Sequence, residues 1–111
     1  MSREIKFRCW NNCLREYIPK KELMENFAEY LEEDHLYIEQ YTGLKDKNDK
    51  EIYEGDILRR SEEGGFDIVG GVEWSEKAAR FWVKRYYYPN GNKWEMIGNI
   101  HENPELLGGE E

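Results

Sequence analysis

Cys9, Cys13, His35 and His101 are the side chains of this sequence with the chemistry to ligate zinc, and its 24 Asp and Glu residues are the candidates for acid–base work or for hard cations. A structural zinc site takes four thiolate or imidazole ligands, usually in close pairs, and here Cys9 with Cys13 is the single close pair. The stretch "DKNDKE" (46–51) tempts a calcium reading. An EF-hand loop needs oxygen ligands at positions 1, 3 and 5, a glycine at 6 and a glutamate at 12. Asp46 and Asn48 suit the first two places, but Lys50, Glu51 and Ile57 stand at the other three. The stretch therefore predicts a polar hairpin turn centred on Asn48-Asp49. Neither cysteine sits in a nucleophile signature, and the glycine pairs at 64–65 and 70–71 lack the spacing and following helix of a phosphate loop. No catalytic, cofactor or metal residue is assigned. A small hydrolase using carboxylates and a histidine is the competing enzyme class, and a pocket gathering His101 or His35 with two carboxylates of shifted pKa would favour it.

One stretch departs from the acidic background. "RFWVKRYYYPNGNKW" (80–94) holds Arg80, Lys84, Arg85 and Lys93, no acid and six aromatic rings. Asn90-Gly91 between aromatic runs is a strong hairpin signal. The expected register sets Tyr88 opposite Lys93 and Tyr86 opposite Glu95. Val83, Tyr87, Trp94 and Met96 then face the core, with Arg85 at its margin. Lys84, Tyr86, Tyr88 and Lys93 share the other face, a cationic and aromatic platform of the kind on which single-stranded bases stack. A solvated sheet face held by cross-strand aromatic pairs explains the same pattern.

The elements that would position these residues are mostly short strands. "REIKFRCWNNCLREYI" alternates about Asn11-Asn12, which reads as a two-residue hairpin turn placing Trp10 opposite Cys13. One face then holds Ile5, Phe7, Cys9, Leu14 and Ile18, interrupted by Glu16. The other holds Glu4, Lys6, Arg8, Arg15 and Tyr17, with Trp10 and Cys13 near the turn. This register puts Cys9 and Cys13 on opposite faces, which forbids a shared metal or a disulfide and leaves Cys9 as a small buried hydrophobe. Residues 20–33 switch to helical spacing, with Leu23, Phe27, Tyr30 and Leu31 as one apolar stripe after Pro19. Lysines at its start and acids at its end oppose the helix dipole, so packing must hold it. "HLYIEQY" (35–41) returns to strand composition. Beyond Gly55, "GDILRR", "DIVGGVEW", "RFWVKRYYY" and "KWEMIGNI" are strands, the Gly70-Gly71 pair marking a bulge or bend. "ENPELL" closes with a helical turn, Asn103 its cap and Pro104 its first residue.

At 111 residues this is one domain. A 36% charged fraction would suit a disordered chain, but 14% aromatics, with four Trp and eight Tyr, would not. Few large rings can stabilise a thin core. A net charge of -8 argues against a general polyanion binder and leaves room for a local basic patch. There is no apolar run long enough to cross a membrane and no signal peptide, and two cysteines without an export signal point to a reducing cytoplasm.

Three blocks, "REIKFRCW", "QYTGLKDKNDKEIYEGDIL" and "MIGNIHENPELL", resemble the YopX family of phage and prophage proteins. Members open with a similar "REIKFR-W" strand, share "TGLKDKNGKEIYEGDI" and finish in "IGNIYENPELL". Asp49 stands where glycine is usual, and His101 where tyrosine is usual. The resemblance implies a small SH3-like β-barrel with an N-terminal extension, and a bacterial cytoplasm as its location. It carries no reaction, ligand or site residue onto this chain.

The expected fold is mainly β: a small SH3-like barrel or half-barrel with an N-terminal hairpin and one short amphipathic helix. It forms one domain, residues 1–41 the extension and 42–107 the barrel core with its C-terminal helical turn. The expected role is a non-enzymatic, macromolecule-binding accessory protein without cofactor, its partner a protein rather than nucleic acid. The alternative is weak single-strand binding through Lys84, Tyr86, Tyr88 and Lys93. Short strands leave open edges, so self-association into a homo-oligomer is also expected. Because the hairpin separates Cys9 from Cys13, a chelator should leave the melting temperature unchanged. A fall of several degrees, read by circular dichroism, would contradict that register.

Overall fold

The computed structural model describes residues 4–85, 87–89 and 93–108. Eight strands dominate it: β1 Phe7–Asn11, β2 Glu16–Tyr17, β3 Leu36–Lys45, β4 Glu51–Tyr53, β5 Asp56–Ser61, β6 Asp67–Ser75, β7 Arg80–Val83 and β8 Glu95–Asn99. They form two four-stranded antiparallel sheets, ordered β2-β1-β3-β4 and β7-β6-β5-β8. The second sheet curls into a half-barrel, so the fold is mainly β as expected. Two short helices, α1 Lys20–Glu25 and α2 Phe27–Tyr30, and a 3₁₀ turn at Pro104–Leu107 complete the described elements.

The N-terminal ribbon keeps the expected facing but not the expected turn. Trp10 pairs with Tyr17 and Asn11 with Glu16, so residues 12–15 form the connection. The Asn11 side chain drives this: its Oδ1 accepts the N–H groups of Cys13 and Leu14 at 2.9 and 3.0 Å. Its carbonyl accepts the Arg15 N–H, and Arg15 adopts φ 59. An Asx turn of this kind replaces the two-residue loop. Cys9 is buried and Cys13 exposed, both as free thiols.

Both faces of β1 are covered, which alternation did not indicate. Phe7 packs its ring 5.2 Å from Phe27, on the side where α1 meets the strand and Leu23 is buried. Trp10, placed by pattern on the polar side, is also buried, while Ile5 and Leu14 of the apolar side are exposed. The single helix expected over 20–33 breaks at Asn26, whose φ is -126 and whose amide Nδ2 donates to the Glu22 carbonyl. Asparagine competes with the helix for its own backbone acceptors, and the acidic second half has little else to hold it.

The half-barrel core gathers Ile52, Leu58, Ile68, Val72, Val83 and Trp94, with Leu44, Phe81, Tyr87 and Met96 packed against it. The expected inward set of Val83, Tyr87, Trp94 and Met96 is present, but not on a hairpin. β7 pairs with β6 and β8 with β5, which places β7 and β8 at opposite edges of the sheet. The chain turns after Val83 through Lys84 and Arg85, at φ 55 and 61, and Val83 bridges to Tyr87. Residues 90–92 lie outside the described residues. The physical reason for the correction is the open side of the curled sheet, which a two-strand ribbon would leave uncovered. Tyr87, Pro89 and Trp94 close it instead, and Trp94 and Pro89 are fully buried.

The Gly70-Gly71 pair makes no bulge with β5; it pairs in continuous register with Leu58 and Ile57. A Cβ on Gly70 would lie 2.9 Å from Lys84 Cβ and 3.0 Å from its backbone N, so glycine is required for the 84–85 turn to pack down on β6. Asn103 precedes the 3₁₀ turn, but its side chain caps nothing there; its Oδ1 accepts the Asn99 N–H.

The turn expected at Asn48-Asp49 is present, with Asp49 at φ 68. Its organiser is Asp46, only 5% exposed. Asp46 Oδ1 accepts the N–H groups of Asn48 and Lys50 at 2.8 and 2.9 Å, and Oδ2 accepts that of Met96 at 2.8 Å. Burial alone would raise its pKa, but the Met96, Lys50 and Asn48 N–H groups outweigh it and hold it below the ordinary aspartate value. Replacing Asp46 by alanine strands three backbone donors. Urea unfolding should show a loss of about 3 kcal/mol at neutral pH. Because the folded pKa is depressed, this contribution is complete above the unfolded value of about 4 and is lost as pH falls through the folded one. The gap between wild type and Asp46→Ala should therefore narrow in acid.

Candidate functional site

The two sheets meet at the turn between β4 and β5, where Glu54 and Gly55 leave one sheet and Asp56 opens the other. Gly55 sits at φ +88, donates its N–H to Val72 of β6, and accepts the Ile100 N–H after β8. A Cβ there would stand 2.4 Å from Glu39 Oε2, so both its backbone angle and its surroundings demand glycine.

Against this turn lies the Arg8 guanidinium from β1. Its Nε donates to Glu39 Oε1 at 2.8 Å, and its Nη2 donates to Asp56 Oδ1 at 2.9 Å and to the Glu54 carbonyl at 3.1 Å. The rings of Tyr17 and Tyr53 each lie 4.7 Å from the guanidinium carbon. Burial works against the Arg8 charge, but Asp56 and Glu39 prevail and hold its pKa above the ordinary arginine value. Asp56 is 1% exposed and also accepts the Tyr53 N–H at 2.8 Å. Burial nonetheless pushes its carboxyl up, against the pull of Arg8 and the Tyr53 N–H. The Tyr17 hydroxyl reaches Glu39 Oε1 at 3.3 Å, and burial raises its pKa first of all.

His101 completes the cluster from the far side. Its Nε2–H donates to Glu39 Oε2 at 2.7 Å, the acceptor-only carboxylate setting the tautomer. Its ring stacks on Trp10 at 4.9 Å and 8°, with Tyr37 tilted against it at 5.4 Å. Arg15 lies 5.2 Å from the Trp10 ring and donates to the His101 carbonyl at 2.6 Å. Glu39 thus accepts from three side chains of three separate segments.

Above the cluster runs an open groove of about 880 Å³ between the sheets. Tyr37 of β3 and Trp74 of β6 stand on its two walls, 46% and 47% exposed. Glu39, Glu54, Glu73 and His101 also line it, as does Arg15. Glu54 Oε1 accepts the Gln40 N–H at 2.7 Å, and its other oxygen has no protein partner among the described residues. Burial raises the Glu54 pKa, Glu39 adds to that rise, and the Gln40 N–H and Arg8 oppose it.

The groove therefore gathers His101 with one carboxylate of shifted pKa, Glu54, where the hydrolase reading called for two. Chemically, His101 and Glu54 are the pair that could move a proton. Glu39 is already occupied by Arg8, Tyr17 and His101, which makes it an anchor rather than a base. No serine, threonine, cysteine or lysine lines this groove among the described residues. No group of three or more His, Cys, Asp and Glu is arranged for a metal ion among them either, and no described helix is long and apolar enough to cross a membrane.

Of the residues expected to form a basic platform, Lys84, Tyr88 and Lys93 are exposed, and Tyr86 lies outside the described residues. Lys84 stands in the turn against Gly70, while Tyr88 lines a second groove with Tyr41, Trp74, Phe81 and Arg80. Among the described residues β7 pairs with β6 and β8 with β5, so the expected pairing of these two strands is not made. Pattern reasoning missed Arg8, Glu39, Asp56 and His101 as one cluster. The available signal was a run of charges inside the stretches that carry the family resemblance: Arg8 in the first, Glu54 to Asp56 in the second, His101 in the third.

Comparison with protein families matches residues 11–108 to the family described as YopX protein. Among curated proteins none matches the sequence. The crystal structure of protein EF1440 from Enterococcus faecalis is similar, with a TM-score of 0.70 and 25% identity, covering 96% of this chain and 99% of that one.

Replacing Arg8 by methionine leaves Glu39 and Asp56 buried without their cation. Chemical denaturation near neutral pH should show a loss of about 3–5 kcal/mol. Carboxyls whose folded pKa is raised cost stability as pH rises through the interval between unfolded and folded values, and that cost disappears below it. The Arg8→Met defect should thus be smaller at about pH 5 than at pH 7. An equal defect at both would mean that lost packing, not charge, sets the penalty.

Proposed function

The chain belongs to the YopX protein family, and from that premise we propose that it is a non-catalytic accessory protein of phage or prophage origin that binds a protein partner in the groove between its sheets. The observation that carries this reading is the pair of half-exposed rings, Tyr37 and Trp74, on opposite walls of one groove. Large aromatic side chains held in water by rigid strands are costly to expose and supply the anchors of protein interfaces. Leu36, Ile38, Val72 and Ile100 also line the groove, which gives an apolar lining rimmed by charge. A net charge of -8 and the carboxylates of the groove repel phosphate backbones, which favours protein over nucleic acid.

The second reading is single-strand binding through Lys84, Tyr86, Tyr88 and Lys93. The exposed Tyr88 ring, with Arg80 5.9 Å from its centroid in the groove that Trp74 and Phe81 share, is the observation in its favour. Stacking on such rings contributes about 1–3 kcal/mol per base.

The test is capture from bacterial cells carrying the expressed protein, with immobilised wild type, Tyr37→Ala and Trp74→Ala compared by mass spectrometry. Both rings are half in solvent, so each variant should fold with an almost unchanged melting temperature. Each should retain the partner about tenfold less well, the scale of an interface anchor. Equal retention by Trp74→Ala would remove the groove from the interface. A gel shift with a single-stranded oligonucleotide at low salt, lost on replacing Lys84 and Lys93 by glutamate, would favour the second reading instead.

A further inference from the structure

The inter-sheet joint carries more negative than positive charge among the described residues. Glu39, Asp56 and Glu54 are three carboxylates held close together, and Arg8 is the one cation bonded among them. Arg15, on the groove rim, spends its guanidinium on the His101 carbonyl and the Asn12 side chain. Glu54 is the carboxylate that Arg8 does not reach by side chain: Arg8 bonds only its backbone carbonyl. The free Glu54 oxygen is not a buried atom lacking a partner, since no such atom exists among the described residues, so it opens to solvent in the groove. Burial raises the Glu54 pKa and like-charge repulsion from Glu39 adds to the rise, against the Gln40 N–H and Arg8; a cation placed beside Glu54 in the groove would offset both.

Resting on the protein-binding reading above, we propose that the groove takes an extended segment of a partner protein and that an arginine side chain of that segment pairs with Glu54 between the walls that carry Tyr37 and Trp74. Guanidinium is the cation these surroundings fit. It is planar, loosely hydrated, stacks on aromatic faces and forms charge-assisted bonds to a carboxylate. The molecule already holds two of its own guanidiniums by this chemistry. Arg8 lies beside Tyr17 and Tyr53 with Glu39 and Asp56 as acceptors, and Arg60 lies 4.9 and 5.0 Å from the Tyr87 and Trp94 rings with Glu62 as acceptor. The groove carries two rings and a carboxylate on its lining, and among the described residues the guanidinium that lines it, Arg15, is held by the His101 carbonyl and Asn12. An extended segment suits it because β3 forms one wall along its length, with Leu36 to Glu39 in the first groove and Tyr41 to Leu44 in the second.

The experiment is a nuclear magnetic resonance titration of the ¹⁵N-labelled protein, following the indole N–H of Trp74. The probes are capped octapeptides of glycine, serine and valine with one central residue varied: arginine, its neutral isostere citrulline, or glutamate. The arginine peptide should move the Trp74 signal to saturation and bind about tenfold more tightly than the citrulline peptide, the scale of one charge-assisted contact. Glu54→Gln keeps an oxygen for the Gln40 N–H, so the fold should persist, and it should erase the preference for arginine over citrulline. Raising salt should weaken the arginine peptide alone. Equal binding of arginine and citrulline peptides, or an arginine peptide that leaves Trp74 unmoved, overturns the inference. So does a Trp74 response to a single-stranded oligonucleotide but to no peptide. Failure here with Trp74-dependent capture intact would refute the arginine and leave the protein-binding reading standing; loss of both would refute the reading itself.

Discussion

The ion-paired joint around Arg8 is the constraint on which the rest of this molecule depends. A guanidinium and two carboxylates, Glu39 and Asp56, withdrawn from water carry a desolvation cost of several kcal/mol per ion, which only close geometry and full hydrogen bonding can offset. That geometry is present: Arg8 bonds Glu39 and Asp56 side chains and the Glu54 carbonyl, and Glu39 bonds His101 and Tyr17 in turn. Arg8 and Glu39 belong to one sheet, while Asp56 opens the other and His101 follows its edge strand. Any other angle between the sheets would leave buried charge unpaired. The joint therefore specifies an arrangement more than it adds stability.

The groove follows from the same constraint. The two sheets are joined at the turn between β4 and β5, at the 46–50 turn against the start of β8, and through Leu44 and Ile52, which pack in the half-barrel core. What remains between them is floored by the carboxylates of the joint and walled by strands, so its acidity and its aromatic lining come from the elements that fix the sheets. The aromatic residues divide by role. Trp10, Trp94 and Tyr87 are packing elements, one under His101 and two closing the barrel, whereas Tyr37, Trp74 and Tyr88 keep their rings in solvent. In a 111-residue chain with a thin core, leaving these rings and that of Phe66 exposed is a sizeable loss of burial.

The three stretches that carry the family resemblance are far apart in the chain and meet at this joint. The first brings Arg8 and Trp10, the second Tyr53 to Asp56, and the third His101. The 46–50 turn of the second stretch also binds the start of β8 through Asp46 and the Met96 N–H, and Lys47 donates to the Trp94 carbonyl.

What the sequence determined by itself was local. Alternation and turn chemistry located the strands, the Asn48-Asp49 turn, the separation of Cys9 from Cys13, and the inward set of Val83, Tyr87, Trp94 and Met96, because each depends on neighbours a few residues away. Only the tertiary structure decided the rest. The Asn90-Gly91 signal favoured pairing β7 with β8, but Tyr87 and Trp94 pack into the half-barrel core and those strands lie at opposite edges of its sheet. The Gly70-Gly71 pair promised a bulge and instead admits a turn from elsewhere in the chain. The joint itself was invisible: Arg8 stands 31 residues from Glu39 and 48 from Asp56, and His101 stands 62 from Glu39. Charges so separated gain nothing until the whole topology closes the intervening loops, so no local pattern records which of 24 acids will meet which cation.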